Sequence, residues 1–202
     1  MKFYFAPGAC SLAPHIALRE ADLAFDLEQV DLRAKQTKSG ADYRAINPKG
    51  SVPALAIDDG PVLTEAAVIL QWIADRKPPA KLAPAAGTME RYRLQEWLNW
   101  VATEMHKGIS PFFNPKASDE WKQLLRDRLA MQFDFLVKRM GGKPYLMGDG
   151  YTVADSYLFA ILRWTKLHAI ELGKGPELPA YMERVGARAA SQVAMKAEGL
   201  IK

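Results

Sequence analysis

Cysteine is almost absent: the 202 residues contain one, Cys10. A single cysteine excludes an internal disulfide framework and a cysteine-based zinc cluster. Histidine is nearly as scarce, and His15, His106 and His168 show no spacing typical of paired metal ligands. We therefore expect no metal site.

Long apolar runs and a strong charge of one sign are also missing. No stretch approaches the roughly 18 apolar residues of a membrane helix, so no membrane contact is expected. The first apolar run is too short for a signal peptide and meets Pro7-Gly8, so a cytoplasmic protein is expected. Lys and Arg exceed Asp and Glu by 27 − 23 = 4 and are dispersed, which argues against a nucleic-acid partner.

Strand and helix patterns alternate over residues 1–77. A strand at 2–6 precedes a helical pattern that begins near Leu12, and a second strand follows at 24–31. After a polar stretch come two strands, at 53–57 and 62–63, joined by an Asp59-Gly60 turn, and then a helix capped by Thr64. The order βαβαββα predicts an α/β thioredoxin-like domain.

Residues 78–87 are rich in proline and predict an interdomain linker. From residue 88 to 202 the patterns predict an all-helical domain. Ser118 is expected to begin a long helix that Gly141-Gly142 ends. Thr152 and Asp155 form a predicted capping box at the start of another helix.

Cys10 lies where the first strand and its loop lead into a helix. The N–H groups at a helix start favour an anion, so this position predicts a stabilised, reactive thiolate with a lowered pKa. Free cysteines are also common as small buried residues, and position alone does not decide between the two interpretations.

Two further segments suggest peptide recognition. Val52-Pro53 opens a strand, where a cis peptide would expose the Val52 backbone to an extended peptide, although a plain strand-initiating proline is the commoner case. Glu65-Ala66 lies at a predicted helix start, where free N–H groups could take a carboxylate and Glu65 an ammonium. Glu65 could equally only complement the helix dipole.

The first helix after the linker carries a polar stripe. Asn99, Thr103 and His106 recur at i, i+4 and i+7, opposite an apolar stripe, and Glu104 and Lys107 flank them. This pattern predicts either a face turned into the domain cleft or a solvated face.

Taken together, these segments closely resemble the bacterial beta-class glutathione transferases over almost the whole chain. The resemblance rests on residues 2–12, 47–55, 63–66, 96–108 and 152–155 in their order. Small departures are Ser51, where the family often has Gln, and Ala66, where it usually has Gly or Ser.

The resemblance implies the following site, with glutathione as co-substrate and no permanently bound cofactor. The catalytic residues would be Cys10, which can form a mixed disulfide with glutathione, and its neighbours Ser11 and His106. The binding residues would be Lys35, Val52, Glu65, Ala66, Asn99, Thr103 and Glu104. Some of these contacts would come from the partner subunit of a homodimer.

The expected activity is conjugation of glutathione to small apolar electrophiles, a detoxification reaction. Thiol–disulfide exchange or peroxidase chemistry at Cys10 is expected as a side activity. The alternative is a non-catalytic carrier of glutathione and apolar ligands. Phe112, Phe113, Trp164 and His168 could line the electrophile pocket, but such aromatic residues are more often core and are left out of the predicted site.

Overall fold

The structure is a computed structural model that describes residues 1–58 and 60–202. Its sheet has five strands in the order β3-β2-β1-β4-β5. They are β1 (Lys2–Phe5), β2 (Asp26–Asp31), β3 (Gln36–Thr37), β4 (Ala54–Ala56) and β5 (Val62–Thr64). β1 and β2 are parallel and the other neighbours antiparallel, which confirms the thioredoxin-like arrangement. The two-residue strand β3 was not predicted, and Asp59 of the predicted turn lies outside the described residues.

Helices cover both faces of this sheet: α1 (Leu12–Glu20), α2 (Tyr43–Ile46) and α3 (Ala66–Arg76). Because side chains alternate along a strand, Phe3 and Phe5 join the core shared with α1 and α3, while Tyr4 packs in a smaller cluster with Tyr43 of α2. The sheet therefore lies between two packed layers.

The rest of the chain is helical, as predicted. A short 3₁₀ turn (Pro78–Ala80) precedes α4 (Met89–Trp100), which continues through a π-helical segment (Val101–His106) into α5 (Lys107–Ile109) and a 3₁₀ turn (Ser110–Phe113). Then come α6 (Asp119–Met140), α7 (Val153–Leu167), α8 (Glu177–Gly186) and α9 (Ala189–Ala197). No helix among the described residues has both the length and the apolarity needed to cross a membrane.

Helix α1 joins the two halves of the molecule. It packs against α3 on one side and against α7 and α9 on the other, so that every residue from Leu12 to Leu18 is buried. One apolar core therefore extends from the sheet into the helical half.

Local capping explains where the helices begin and end. Ser118 accepts a hydrogen bond from the Trp121 N–H (3.1 Å), and Gly141 ends α6 in the left-handed conformation, with φ +58°. The Thr152–Asp155 capping box is present at the start of α7. The prediction that Thr64 caps α3 is wrong: Thr64 ends β5, and Glu65 is the cap residue.

Candidate functional site

A cavity of about 700 Å³ opens between the sheet-end loops and the helical half. The first half contributes the loop from Ala6 to Cys10, together with Leu32, Lys35, Gly50, Ser51, Val52, Pro53, Glu65 and Ala66. The helical half contributes Ala102, His106, Lys107, Phe113, Tyr157, Trp164, Leu167 and Leu200. Six of the ten predicted site residues line this cavity: Cys10, Lys35, Val52, Glu65, Ala66 and His106.

Cys10 lies deep in the cavity wall, with 8% of its surface exposed. Its thiol donates a hydrogen bond to the Val52 carbonyl, with 3.3 Å between Sγ and O. Burial raises the pKa of the Cys10 thiol to about 12, against the smaller lowering by the N–H groups of Cys10 and Ser11 and by Lys107. The expected lowering of this pKa is therefore contradicted. Ser11, not Cys10, is the N-cap of α1, and desolvation outweighs the helix start.

Ser11 is fully buried and does not line the cavity. Its hydroxyl lies 3.2 Å from both the N–H and the carbonyl of Ala6, so it accepts from one and donates to the other. Ser11 thus ties the start of the loop, at Ala6, to the start of α1.

Val52 and Lys35 also line the cavity. The Val52-Pro53 peptide bond is cis, as considered from the sequence. The Lys35 ammonium donates to the Gly50 carbonyl at 2.7 Å and reaches the cavity edge. A cation thus lies beside the backbone of residues 50–52, which lines the cavity, and this arrangement suits an extended peptide that ends in a carboxylate.

Glu65 and Ala66 meet at the start of α3. Glu65 has a left-handed backbone (φ +69°) and an exposed carboxylate that forms an ion pair with Lys49. The Glu65 carbonyl accepts from the N–H groups of Val68 and Ile69. The Ala66 N–H belongs to the first turn, where a helix leaves its N–H groups without intrahelical partners. This end of the cavity therefore offers both a carboxylate and free N–H donors.

His106 reaches the cavity from the last residue of the π-helical segment. Its Nδ1 lies 2.8 Å from the Tyr157 hydroxyl, and its ring packs edge-on against Trp164. Burial, and then the charge of Lys107, lower the pKa of His106 to about 4, while Glu65 acts weakly in the opposite direction. The imidazole is therefore neutral at neutral pH. Burial also raises the pKa of the Tyr157 hydroxyl, which stays protonated.

Asn99, Thr103 and Glu104 do not line the cavity within this chain. Asn99 and Thr103 are exposed, and the Thr103 hydroxyl donates to the Asn99 carbonyl at 3.1 Å. Glu104 forms an ion pair with Arg128 at 2.7 Å. The π-helical segment explains the separation, because its wider turn breaks the regular spacing that placed these residues on one face with His106. Their role in the site stays a prediction.

Several lining residues were not predicted from the sequence. Tyr157 and Trp164 are seven residues apart on α7 and so share a face, but that spacing is equally typical of core. Of the aromatic residues considered for a pocket, Phe113 and Trp164 line the cavity, whereas Phe112 and His168 pack beside it. Within the described residues, no group of three His, Cys, Asp or Glu side chains is placed to hold a metal ion.

Comparison with known proteins gives matches along nearly the whole chain. The family model of the glutathione S-transferase N-terminal domain matches residues 8–76, and that of the C-terminal domain matches residues 100–189. The glutathione S-transferase GstA of Escherichia coli O157:H7 is 42% identical over 200 residues, which cover 99% of this chain and 100% of that relative.

Solved structures of similar proteins agree with the fold. The ternary complex of BphK, a bacterial glutathione transferase, superposes with a TM-score of 0.96 at 52% identity, covering 98% of this chain and 100% of that one. A sphingomonad glutathione S-transferase complexed with glutathione has a TM-score of 0.95 at 42% identity, with 100% of both chains covered.

Proposed function

Because the chain belongs to the glutathione S-transferase family and is a glutathione transferase, we propose that it binds glutathione along the sheet side of this cavity. The γ-glutamyl head would lie at the start of α3, with its carboxylate on the Ala66 N–H and its ammonium at Glu65. The Val52 backbone would pair with the cysteinyl unit, since its N–H has no acceptor among the described residues. Lys35 would meet the terminal carboxylate.

This binding mode directs the glutathione sulfur toward Cys10 and His106. We infer that the Tyr157 hydroxyl donates to Nδ1 of His106, which leaves the one N–H of the neutral imidazole at Nε2. We infer that the Nε2–H donates to the glutathione thiolate, while the Lys107 ammonium favours its charge. The observation that carries the proposal is the convergence of Lys35, Val52, Glu65, Ala66 and His106 on one cavity beside Cys10.

The electrophile would lie on the helical side, where Phe113, Trp164, Leu167 and Leu200 supply an apolar wall. The glutathione thiolate would attack an electrophilic carbon there, forming a C–S bond as the leaving group departs with the bonding electrons. Cys10 is not the nucleophile of this reaction, because the glutathione sulfur forms the new C–S bond. It is the residue proposed for thiol–disulfide exchange.

The first experiment measures how fast the chain accelerates the addition of glutathione to an activated aryl halide, against an enzyme-free blank. Because the pKa of His106 is lowered to about 4, the imidazole does not change its protonation state between pH 5 and 7. The titration of His106 should therefore leave kcat/KM unchanged over this range. Instead, kcat/KM should rise with pH as the glutathione thiol ionises, near its ordinary pKa of about 8.5 or below.

His106→Phe should lower kcat/KM about tenfold by removing one hydrogen bond to a charged group.

Two outcomes would contradict this account. Glutathione binding without any rate above the blank would favour the carrier. An acid limb near pH 6.5 that His106→Phe removes would mean that His106 carries a proton in the working range.

We propose that the chain forms a homodimer through the outer side of α4 and α6. A second hollow of about 400 Å³ lies there, lined by Arg93, Glu96, Trp97, Trp100, Phe135, Arg139, Leu146 and Met147. Phe135 is 46% exposed, and Met131 on the same helix is 65% exposed. Asn99 and Thr103 follow Glu96 at helical spacing along α4 and the π-helical segment that continues it. A partner subunit could therefore bring them near its own cavity.

Gel filtration tests the dimer. We expect elution at about twice the chain mass of 22.5 kDa at micromolar concentration. Phe135→Glu should shift elution to the monomer, because it buries a charge in an apolar contact. Val193→Glu, at an exposed position on α9, is the matched control and should leave elution unchanged. A monomeric wild-type chain would overturn the proposal.

We also propose that residues 1–77 act as the glutathione-binding domain, 78–87 as a linker and 88–202 as the helical domain. The proposed role is detoxification of apolar electrophiles in the cytoplasm, where glutathione keeps thiols reduced.

A further inference from the structure

The helical half holds the loop before Cys10 through both backbone groups of one residue, Gly8. The Gly8 N–H donates to Glu198 Oε2 at 2.9 Å, and the Gly8 carbonyl accepts from Trp164 Nε1 at 2.8 Å. Gly8 has φ +69°, a conformation that other residues rarely adopt. The path of the loop is therefore fixed by contacts from outside the sheet.

Glu198 is the less expected of the two partners. It directly follows α9, is 6% exposed, and does not line the cavity. Its other oxygen, Oε1, lies 2.9 Å from Nδ1 of His15, which is fully buried on α1. A buried carboxylate is costly unless both oxygens are bonded, and here each oxygen has one partner on either side of Cys10.

We propose that Glu198 is a positioning residue for the thiol end of the active site, acting through the Gly8 N–H and His15 to fix the Pro7–Cys10 loop. The expected effect of Glu198 on conjugation rests on the proposed function, whereas its expected effect on the accessibility of Cys10 does not. Glu198 lies beyond residues 100–189, which match the C-terminal family model.

Loss of the carboxylate would leave the Gly8 N–H and His15 without their partners. The loop would then gain freedom at the residue two positions before Cys10. Because Cys10 is the last residue of this loop and only 8% exposed, its thiol would become more accessible to water and to reagents. A looser loop would also widen the space around the glutathione sulfur, which slows a reaction that depends on orientation.

The test uses the fact that the chain has one cysteine, so thiol labelling reports on Cys10 alone. Labelling with iodoacetamide at pH 7.5 is compared with kcat/KM for glutathione addition to an activated aryl halide. Glu198→Ala should label at least about tenfold faster than wild type and lose about tenfold in kcat/KM. Glu198→Gln retains an acceptor for the Gly8 N–H and should remain close to wild type in both.

Glu20→Gln is the matched control. Glu20 lies at the other end of α1 and pairs with Arg188, the cap residue of α9, with 2.9 Å between Oε2 and Nη2. The two carboxylates thus link the same two helices, but Glu20 is not bonded to the loop. Glu20→Gln should lower thermal stability without changing the labelling rate or kcat/KM.

Equal rates of thiol labelling in Glu198→Ala and Glu20→Gln would overturn the proposal. The same holds if Glu198→Gln loses as much kcat/KM, and labels as fast, as Glu198→Ala. If Glu198→Ala does not fold, Glu198→Asp replaces it, since the shorter side chain cannot reach both partners. Its labelling should also be faster than wild type, and an unchanged rate would count against the proposal. If the wild type shows no conjugation, the labelling comparison still decides the role of Glu198.

Discussion

Replacing Cys10 by alanine is expected to abolish glutathione-dependent thiol–disulfide exchange while conjugation stays within about tenfold of wild type. Exchange needs a protein sulfur that attacks a disulfide, forms a new S–S bond and releases a thiol. The chain has no other cysteine to do so. Conjugation uses the glutathione sulfur instead, and loses only the hydrogen bond from Cys10 to the Val52 carbonyl.

The comparison requires two assays on the same preparation: reduction of a small disulfide by glutathione, and addition of glutathione to an activated aryl halide. Cys10→Ser is the control, because its hydroxyl can still donate to the Val52 carbonyl. It should lose exchange completely and retain conjugation better than Cys10→Ala. Equal loss of both activities in Cys10→Ser would mean that the Cys10 sulfur takes part in conjugation.

The second large effect is on stability: Asp155→Ala is expected to lower the free energy of unfolding by about 3–5 kcal/mol. The fully buried Asp155 carboxylate accepts from the N–H of Leu146 (2.9 Å) and the hydroxyl of Tyr181 (3.1 Å) with one oxygen. The other oxygen accepts from the N–H (2.9 Å) and hydroxyl (3.0 Å) of Thr152. Alanine would leave the Leu146 N–H and both Thr152 donors without this acceptor, and Tyr181 would keep only the main-chain carbonyl of residue 155, at 3.3 Å.

Urea denaturation followed by tryptophan fluorescence measures the effect. Asp149→Ala is the control, since this nearby carboxylate is exposed and pairs only with Lys143 at the surface. It should cost less than about 1 kcal/mol. A loss of no more than 1 kcal/mol in Asp155→Ala would show that the buried donors find other partners.

Much of the fold could be predicted because its determinants are local. Alternating apolar residues mark the strands, and Ser118, Gly141 and the Thr152–Asp155 pair mark helix ends through contacts within a few residues. The two-residue strand β3 escaped prediction because so short a segment carries no periodicity. Thr64 was misassigned because threonine is a preferred N-cap residue, whereas the pairing of Thr64 with Ala54 in the hairpin makes it the end of β5.

The site could be predicted only in part, because its electrostatics depend on tertiary burial. The position of Cys10 at a helix start suggested a low pKa, but the packing of distant segments around the thiol raises it. The prediction that Asn99, Thr103 and His106 share one face depended on a regular α-helix. The spacing of apolar residues does not reveal the π-helical segment that interrupts it. Tyr157 was not recognised, because an aromatic residue on an apolar helix is usually core.

Helix α1 is buried from Leu12 to Leu18 by elements from both halves of the chain, and Cys10 immediately precedes its cap. A helix that is apolar on all sides is stable only when other elements cover it. A fragment that ends at the linker would expose the side of α1 that α7 and α9 cover. We therefore expect that the sheet half does not fold stably by itself, and that a fusion or a domain exchange that transfers it must also transfer the helices that pack on α1.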